Sequence, residues 1–353
     1  MVTIVPCRPA DITIRAYDDS LQAGWDDYVY RHPQSSVFHL VAWKCLIEKA
    51  FGFEPRYLAA EDNGRLRGVL PLFLVDNWMQ GKTLISAPFA VYGGICADDE
   101  PTAGALRRAA CDLAREQKVQ YLELREQWPT FHPDFQRKHL YVTFERELPS
   151  DSQELLQSFP RDTRYMVRKG QKNKLRSVLD NSNLNIFYDI YAYSVRQLGT
   201  PVFSRGYFRI LLDEFGDHCE ITTIWHNESP VAAVLSLRFR DSILPYYGGS
   251  LLEGRQLAAN NFMYWEVMRR AVEQGIRYYD FGRSKLGTGA HAFKTQWGMR
   301  ERPLPYQFYL VRRKTMPNFS PVNPKFRLGV NLWKRMPQKA ANAIGPSLVR
   351  LFP

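Results

Sequence analysis

Cysteine is scarce and scattered. The five, at positions 7, 45, 96, 111 and 219, form no CxxC pair, and His218-Cys219 is the one close Cys/His pair. A disulfide framework or a structural zinc site needs ligands paired at short spacing, so no metal site is expected. Long apolar runs are missing as well: stretches such as Val231–Leu235 fall far short of the ~20 residues that span a bilayer. The amino-terminal residues MVTIVPCRPADITIRAYDD have no continuous apolar core behind a basic start. No signal peptide is therefore expected, and the sequence reads as a protein of a reducing cytoplasm. No GxSxG occurs, and Cys7 and Cys219 have no nucleophile context, which argues against a Ser- or Cys-based hydrolase.

Acidic residues are absent after Glu301, whereas residues 302–353 carry ten Lys or Arg. Of the formal net charge of +11, only +1 belongs to residues 1–301. Residues 161–176 (RDTRYMVRKGQKNKLR) alone contribute +6, leaving about −5 on everything else before 302. A basic segment and a basic tail on a slightly acidic body suit localised contact with phosphates, anionic lipid or an acidic ligand, not uniform coating of a polyanion. The supply of core-forming residues, 45% hydrophobic and 14% aromatic, excludes disorder as the main state. A length of 353 residues suggests two domains at roughly 150 residues each.

Patterning supports a duplication. Residues 58–75 form two strand-like runs around Asp62-Asn63-Gly64, where Asn-Gly is a strong hairpin signal. A strand ending in Tyr92-Gly93-Gly94, a helix over 102–117 and a short strand at Tyr121-Leu122-Glu123-Leu124 follow. The same order recurs: a hairpin around Asn227–Pro230, a strand ending in Tyr247-Gly248-Gly249, a helix over 258–274, and a short strand at Tyr278–Phe281. Matched landmarks (Leu70-Pro71-Leu72 with Leu235-Ser236-Leu237, then the two YGG triplets, then the two short strands) lie 165, 155 and 157 residues apart. The expected organisation is an α/β unit over 1–150, a second over 151–312 that includes a basic helical segment at 161–179, and a basic tail at 313–353. Six prolines in that tail exclude one long helix there.

The duplicated strand–YGG–helix unit, the segment Arg164–Lys169 and the stretch YDFGRSKLGTGAHAFKTQWG (279–298) resemble the Fem-type (FemAB-like) aminoacyltransferases, built from tandem GNAT-like domains. The likeness covers about residues 10–312, and 279–298 is most similar to the branch associated with exosortase/PEP-CTERM systems. Residues 161–198 are too few for the long coiled-coil hairpin of some members. The resemblance implies the acyl-CoA N-acyltransferase fold and transfer of an acyl or aminoacyl group to an amine of a cell-envelope or exopolysaccharide precursor. No bound cofactor is implied; the co-substrate is an activated donor, aminoacyl-tRNA ahead of acyl-CoA. It also implies that Lys294, of the FK motif, lies near phosphates of the substrate. Two other readings stand beside it: a CoA-dependent N-acyltransferase, and a non-catalytic scaffold of the exopolysaccharide or exosortase machinery.

Amide formation from an activated ester needs little beyond holding amine and ester together, worth roughly 7–11 kcal/mol, plus a proton acceptor and an oxyanion donor. Lys294 is the candidate point charge and Asp280 the candidate proton acceptor or, more plainly, a turn cap. Arg283, Lys285 and Gly287 offer an anion-binding loop; Arg205 and Tyr207 open a helix; Tyr247 ends a strand where it can reach substrate or enter the core. Residues 254–261 stand where a CoA-dependent enzyme would bind pyrophosphate, and Asn260 and Asn261 replace the small residues wanted there. The basic residues at 161, 164, 168, 172 and 176 recur at three- or four-residue spacing along one helix face, and Arg164, Arg168, Lys169 and Lys172 are the candidate contacts to a tRNA acceptor stem or a diphosphate-bearing precursor. No RRM, KH or helix-turn-helix signature supports sequence-specific nucleic-acid binding. In the tail, Phe326, Val330 and Trp333 recur at i, i+4, i+7 among basic residues, so 325–336 is a candidate peripheral contact with the inner membrane face.

Overall fold

The computed structural model describes residues 12–128, 130, 132–317 and 324–353, with side chains from 329 onward in the last stretch; Cys7 and the side chains of Lys325, Phe326 and Arg327 lie outside this range. The chain divides into two compact units, Met1–Lys138 with Pro305–Met316, and His139–Leu304 with Pro317–Pro353.

In the first unit, the strands Leu58–Asp62 and Arg65–Leu70 form the hairpin that Asn63-Gly64 signals, with both residues at positive φ (50° and 77°). They pair with Thr13–Ala16 on one side and Cys96–Ala97 on the other. A second sheet runs Glu54–Pro55, Leu72–Asn77, Gly81–Ser86, Tyr121–Arg125, Tyr306–Leu310, Gln136–Lys138. The helix Glu100–Glu116 begins at Asp99, whose carboxylate accepts from the Thr102 N–H, and buries Leu106, Ala110 and Ala114 at four-residue spacing. It links Gly81–Ser86 to Tyr121–Arg125, which therefore pair in parallel, Leu84 beside Leu122.

The second unit repeats this plan. Its sheet runs Leu175–Leu179, Cys219–His226, Ser229–Phe239, Ser242–Ser250, Tyr278–Asp280, Tyr141–Glu147, Ser284–Lys285, with Arg300–Pro303 also against Tyr141–Glu147. The helix Ala259–Glu273 links the parallel pair Ser242–Ser250 and Tyr278–Asp280, and packs on one face with Val234, Ile243 and Tyr279. The helices Leu184–Leu198 and Arg205–Phe215 take the other face, where Tyr247 meets Tyr191 and Phe208.

Two expectations need correction. The basic segment is a helix only over Arg161–Lys172; Lys174 turns the chain at φ 56° and Leu175–Leu179 becomes an edge strand on Cys219–His226. LRSVL alternates as a strand, and the open sheet edge decides its state. The first YGG lies in an irregular loop between Ser86 and Cys96, not at a strand end.

The tail forms two helices, Pro324–Arg335 and Gln338–Val349, interrupted at Pro337. Among the described residues no helix is long and apolar enough to cross a membrane.

Candidate active site

The parallel pairing of the second unit is brief. Ser242 stands beside Tyr278 and Ile243 beside Tyr279, and there the ladder stops. On its other edge, Ser242–Ser250 stays paired with Ser229–Phe239 through a bulge that shifts register from Leu235/Tyr247 to Ser236/Pro245, with Tyr246 the extra residue. A bulge bends and twists its strand, so residues 244–250 swing away from Tyr278–Asp280. The result is a splay, one lip of which is a strand edge with no ladder partner among the described strands.

The other lip is the turn Asp280–Arg283. Gly282 sits at φ 66°, a conformation open to glycine, and donates its N–H to Asp280 Oδ1 at 2.7 Å. Thr143 Oγ1 donates to the same oxygen at 2.6 Å. Asp280 therefore caps its own turn, the plainer of its two expected roles. Lys294 closes the turn from the helix Gly289–Thr295: its Nζ donates to the carbonyls of Phe281 (2.5 Å), Gly282 (3.0 Å) and Arg283 (3.3 Å). Those three bonds use all three ammonium hydrogens. The expectation of Lys294 as a charge presented to phosphate is corrected to that of a clamp on the lip. Burial pulls its pKa down to about 8, Arg283 pushes the same way, and Asp280 opposes.

Arg283 stacks over the Tyr141 ring at 4.8 Å and is half-buried at this lip. Lys285 follows, half-buried and with its pKa lowered by burial. Gly287 is exposed at φ 74°, and a Cβ there meets nothing within 4 Å. It serves the turn, and Thr288 Oγ1 caps the next helix by accepting from the His291 N–H at 3.3 Å.

Tyr247 and Tyr207 are brought together, both buried, with hydroxyls 2.7 Å apart. Tyr247 shares a sheet face with Asp280, since the register sets Ile243 and Tyr279 together on the opposite one. Gly249 serves this packing too: a Cβ there falls 2.3 Å from Ser194 Cβ. Of the adjacent pair Tyr246 and Tyr247, expected from the alternation to put one ring in the core, Tyr247 is the buried one, and Tyr246 is half-buried at the bulge. Arg205 does not join the cleft residues, because its guanidinium bonds Asn185 Oδ1 and Asp189 Oδ1, both at 2.9 Å, and stacks on Tyr188.

The basic helix is anchored beside the lip. Thr163 Oγ1 donates to the Gln296 carbonyl at 2.6 Å, and Gly170 packs where a Cβ would fall 2.7 Å from Phe262 Cβ. Arg164 bonds the carbonyls of Gln157 and Phe159, so it fastens the helix entry and leaves the expected polyanion face. Arg168 and Lys172 are exposed and Lys169 half-buried, and among the described residues no acid pairs with any of the three. Asn173 Nδ2, just past the helix end, donates to the Leu257 carbonyl at 3.2 Å. There the helix Ala259–Glu273 starts from Ala258 at φ 64° without a side-chain cap.

In the first unit the corresponding splay is filled from within. Arg125 donates to the carbonyls of Ala87 and Ala90, both at 3.2 Å, and Tyr306 to that of Val91. His39 Nδ1 accepts from the Ser36 N–H, so its Nε2 carries the proton given to the Gly94 carbonyl at 3.1 Å. Glu126 is buried against Gly94, where a Cβ would fall 2.3 Å from Oε2, and accepts from the Ile95 N–H at 3.4 Å. Burial pushes its pKa up to about 7, against the Ile95 hydrogen bond and Arg107. Neither His39 nor Glu126 has a motif that singles it out.

No curated protein matches the sequence. Residues 157–295 match the family model of an acetyltransferase (GNAT) domain. Among solved structures, the chain is similar to FemX with a TM-score of 0.66 at 16% identity, covering 85% of this chain and 98% of that one. A tandem GNAT protein from the clavulanic acid biosynthesis pathway gives 0.55 at 13% identity, covering 87% and 100%. The carboxy-terminal domain described for a lysylphosphatidylglycerol synthetase from Agrobacterium fabrum gives 0.54 at 11%, covering 82% and 91%. The chain has a tandem GNAT-like α/β fold. At these identities the likeness concerns the fold alone.

Proposed function

We propose that the protein transfers an activated acyl or aminoacyl group to an amine of a cell-envelope precursor in the splayed cleft of the second unit. The observation that carries this reading is the strand edge whose parallel ladder stops at Ile243, facing a turn that Lys294 clamps. Backbone N–H groups fixed along such an edge can receive the oxygen of an attacked carbonyl without reorganising. The amine nitrogen forms the new C–N bond, the ester C–O bond breaks, and the departing oxygen takes up a proton. In this reading Asp280, which opens the turn, also accepts the amine proton. Holding both partners in this cleft supplies the larger share of the acceleration.

Aminoacyl transfer is favoured by the exposed Arg168 and Lys172 and the half-buried Lys169, which no acid neutralises among the described residues and which suit acceptor-stem phosphates. The relatedness in fold to FemX and to a lysylphosphatidylglycerol synthetase domain is consistent with it. Within envelope precursors, the resemblance of residues 279–298 points to an exopolysaccharide intermediate, handled in the cytoplasm. A second reading, a CoA ester as donor, is favoured by the match to an acetyltransferase domain and by the uncapped start of Ala259–Glu273 beside Leu257.

The experiment incubates purified protein and an envelope-precursor fraction with radiolabelled aminoacyl-tRNA or with radiolabelled acetyl-CoA. Label moving from tRNA supports the first reading, and label moving from CoA alone the second. Transfer from neither donor, with cellular function intact in Lys294→Ala and Arg283→Ala proteins, establishes a scaffold.

A further inference from the structure

The tail helices have an inner and an outer face of different character. Trp333, which the sequence pattern offers to a membrane, is buried inward and donates its Nε1–H to the Thr200 carbonyl at 3.1 Å. Arg196 bonds the carbonyls of Lys334 and Met336, both at 3.0 Å, and Gln338 Oε1 at 2.7 Å. Close approach seals the seam: a Cβ on Gly199 would fall 2.5 Å from Val330 Cγ1, and one on Gly345 2.8 Å from Val202 Cγ1. Both helices are thus fixed on the segment 196–202.

The outward side exposes large apolar side chains, Leu332 at 69%, Ile344 at 45% and Phe352 at 39%, and Leu198, in the segment at the seam, is 65% exposed. Interleaved with them are exposed Lys334, Arg335, Lys339 and Arg350. Among the described residues no acid pairs with Lys334, Arg335 or Lys339, and residues 302–353 contain none.

We propose that this outer face docks the protein on an anionic lipid surface. Apolar side chains set among basic ones fit a headgroup boundary, where the former enter the acyl region and the latter meet phosphate. A nucleic acid would use the charges and leave the apolar groups in water. A second copy of the chain would bring two faces of the same sign together. The surface is separate from the basic helix Arg161–Lys172: the tail packs on Leu184–Leu198, on the sheet face opposite the helix Ala259–Glu273 that carries that helix.

The full chain is sedimented with vesicles of phosphatidylcholine alone and of phosphatidylcholine mixed with phosphatidylglycerol. The expected result is binding to mixed vesicles only. Lys334→Gln/Arg335→Gln/Lys339→Gln should weaken it on the order of 100-fold, and Leu332→Ser/Ile344→Ser should also weaken it, with near-ultraviolet dichroism unchanged in both. Equal binding to neutral vesicles, unchanged binding in both variants, or vesicle-independent self-association that both variants abolish would each overturn the proposal. So would capture of tRNA by this face in preference to mixed vesicles.

Discussion

Both units contain a brief parallel strand pair, and each sets a different titratable group beside it, a buried carboxyl in the first and a half-buried amine in the second. In the first, Glu126 is buried against Gly94 and Ile95 while Arg125, Tyr306 and His39 tie the adjoining loop from 87 to 94. In the second, Lys294 ties the turn at 281–283, and the parallel ladder of the bulged strand stops at Ile243. One fold unit used twice has become a copy plugged by its own side chains and a copy whose parallel ladder splays apart, and the proposed chemistry belongs to the second.

The largest expected effect is on that lip. Lys294→Ala removes three bonds from the turn at 281–283 and should lower turnover on the order of 100-fold, read as kcat in the transfer assay. In the wild type the clamp loses a proton as pH rises through about 8, so activity should fall along a limb there that Lys294→Met lacks.

The first unit should respond to rising pH in its stability. Glu126 has a folded pKa of about 7, above its ordinary 4.5, so the folded state holds a proton that the unfolded chain releases between those values. Stability is lost as pH rises through that window and reaches a cost of about 3 kcal/mol above it, at ~1.4 kcal/mol per pH unit. Glu126→Gln should therefore stabilise the protein by about that much at pH 8 and scarcely at pH 4, measured by urea unfolding. Stability that is indifferent to the substitution at pH 8 removes the plug from the comparison.

Much of this architecture was legible in the sequence. Asn63-Gly64 marked its hairpin, and the DFG-to-FK stretch marked the lip because its glycine and lysine are local to one turn. What escaped detection depends on tertiary partners. The donors of Lys294 go to backbone carbonyls, which no side-chain motif records. Leu175–Leu179 looked helical in the company of Arg161–Lys172 until a sheet edge was available to pair it. Tyr207 and Tyr247 are paired residues 40 positions apart, and Glu126 owes its character to burial beneath a glycine.

Glycine substitutions sharpen the contrast with smaller effects. Gly94→Ala drives a methyl group into the Glu126 carboxyl, and Gly249→Ala drives one into Ser194. Each should cost about 2 kcal/mol by overpacking, detectable as a lowered urea midpoint. Smaller still, Arg168→Gln/Lys172→Gln should raise the KM for charged tRNA roughly tenfold and flatten its salt dependence, with kcat preserved. Smallest is Arg205→Ala, which breaks an exposed pair with Asp189 and should change stability by less than about 1 kcal/mol and turnover not at all.

The most direct measurement is single-turnover transfer of label to the precursor fraction by wild type, Lys294→Ala and Glu126→Gln, each shown folded by its unfolding curve. Transfer lost in Lys294→Ala and kept in Glu126→Gln is the expected result and places the reaction in the second unit. Transfer kept in Lys294→Ala and lost in Glu126→Gln would contradict that assignment and move the chemistry to the first.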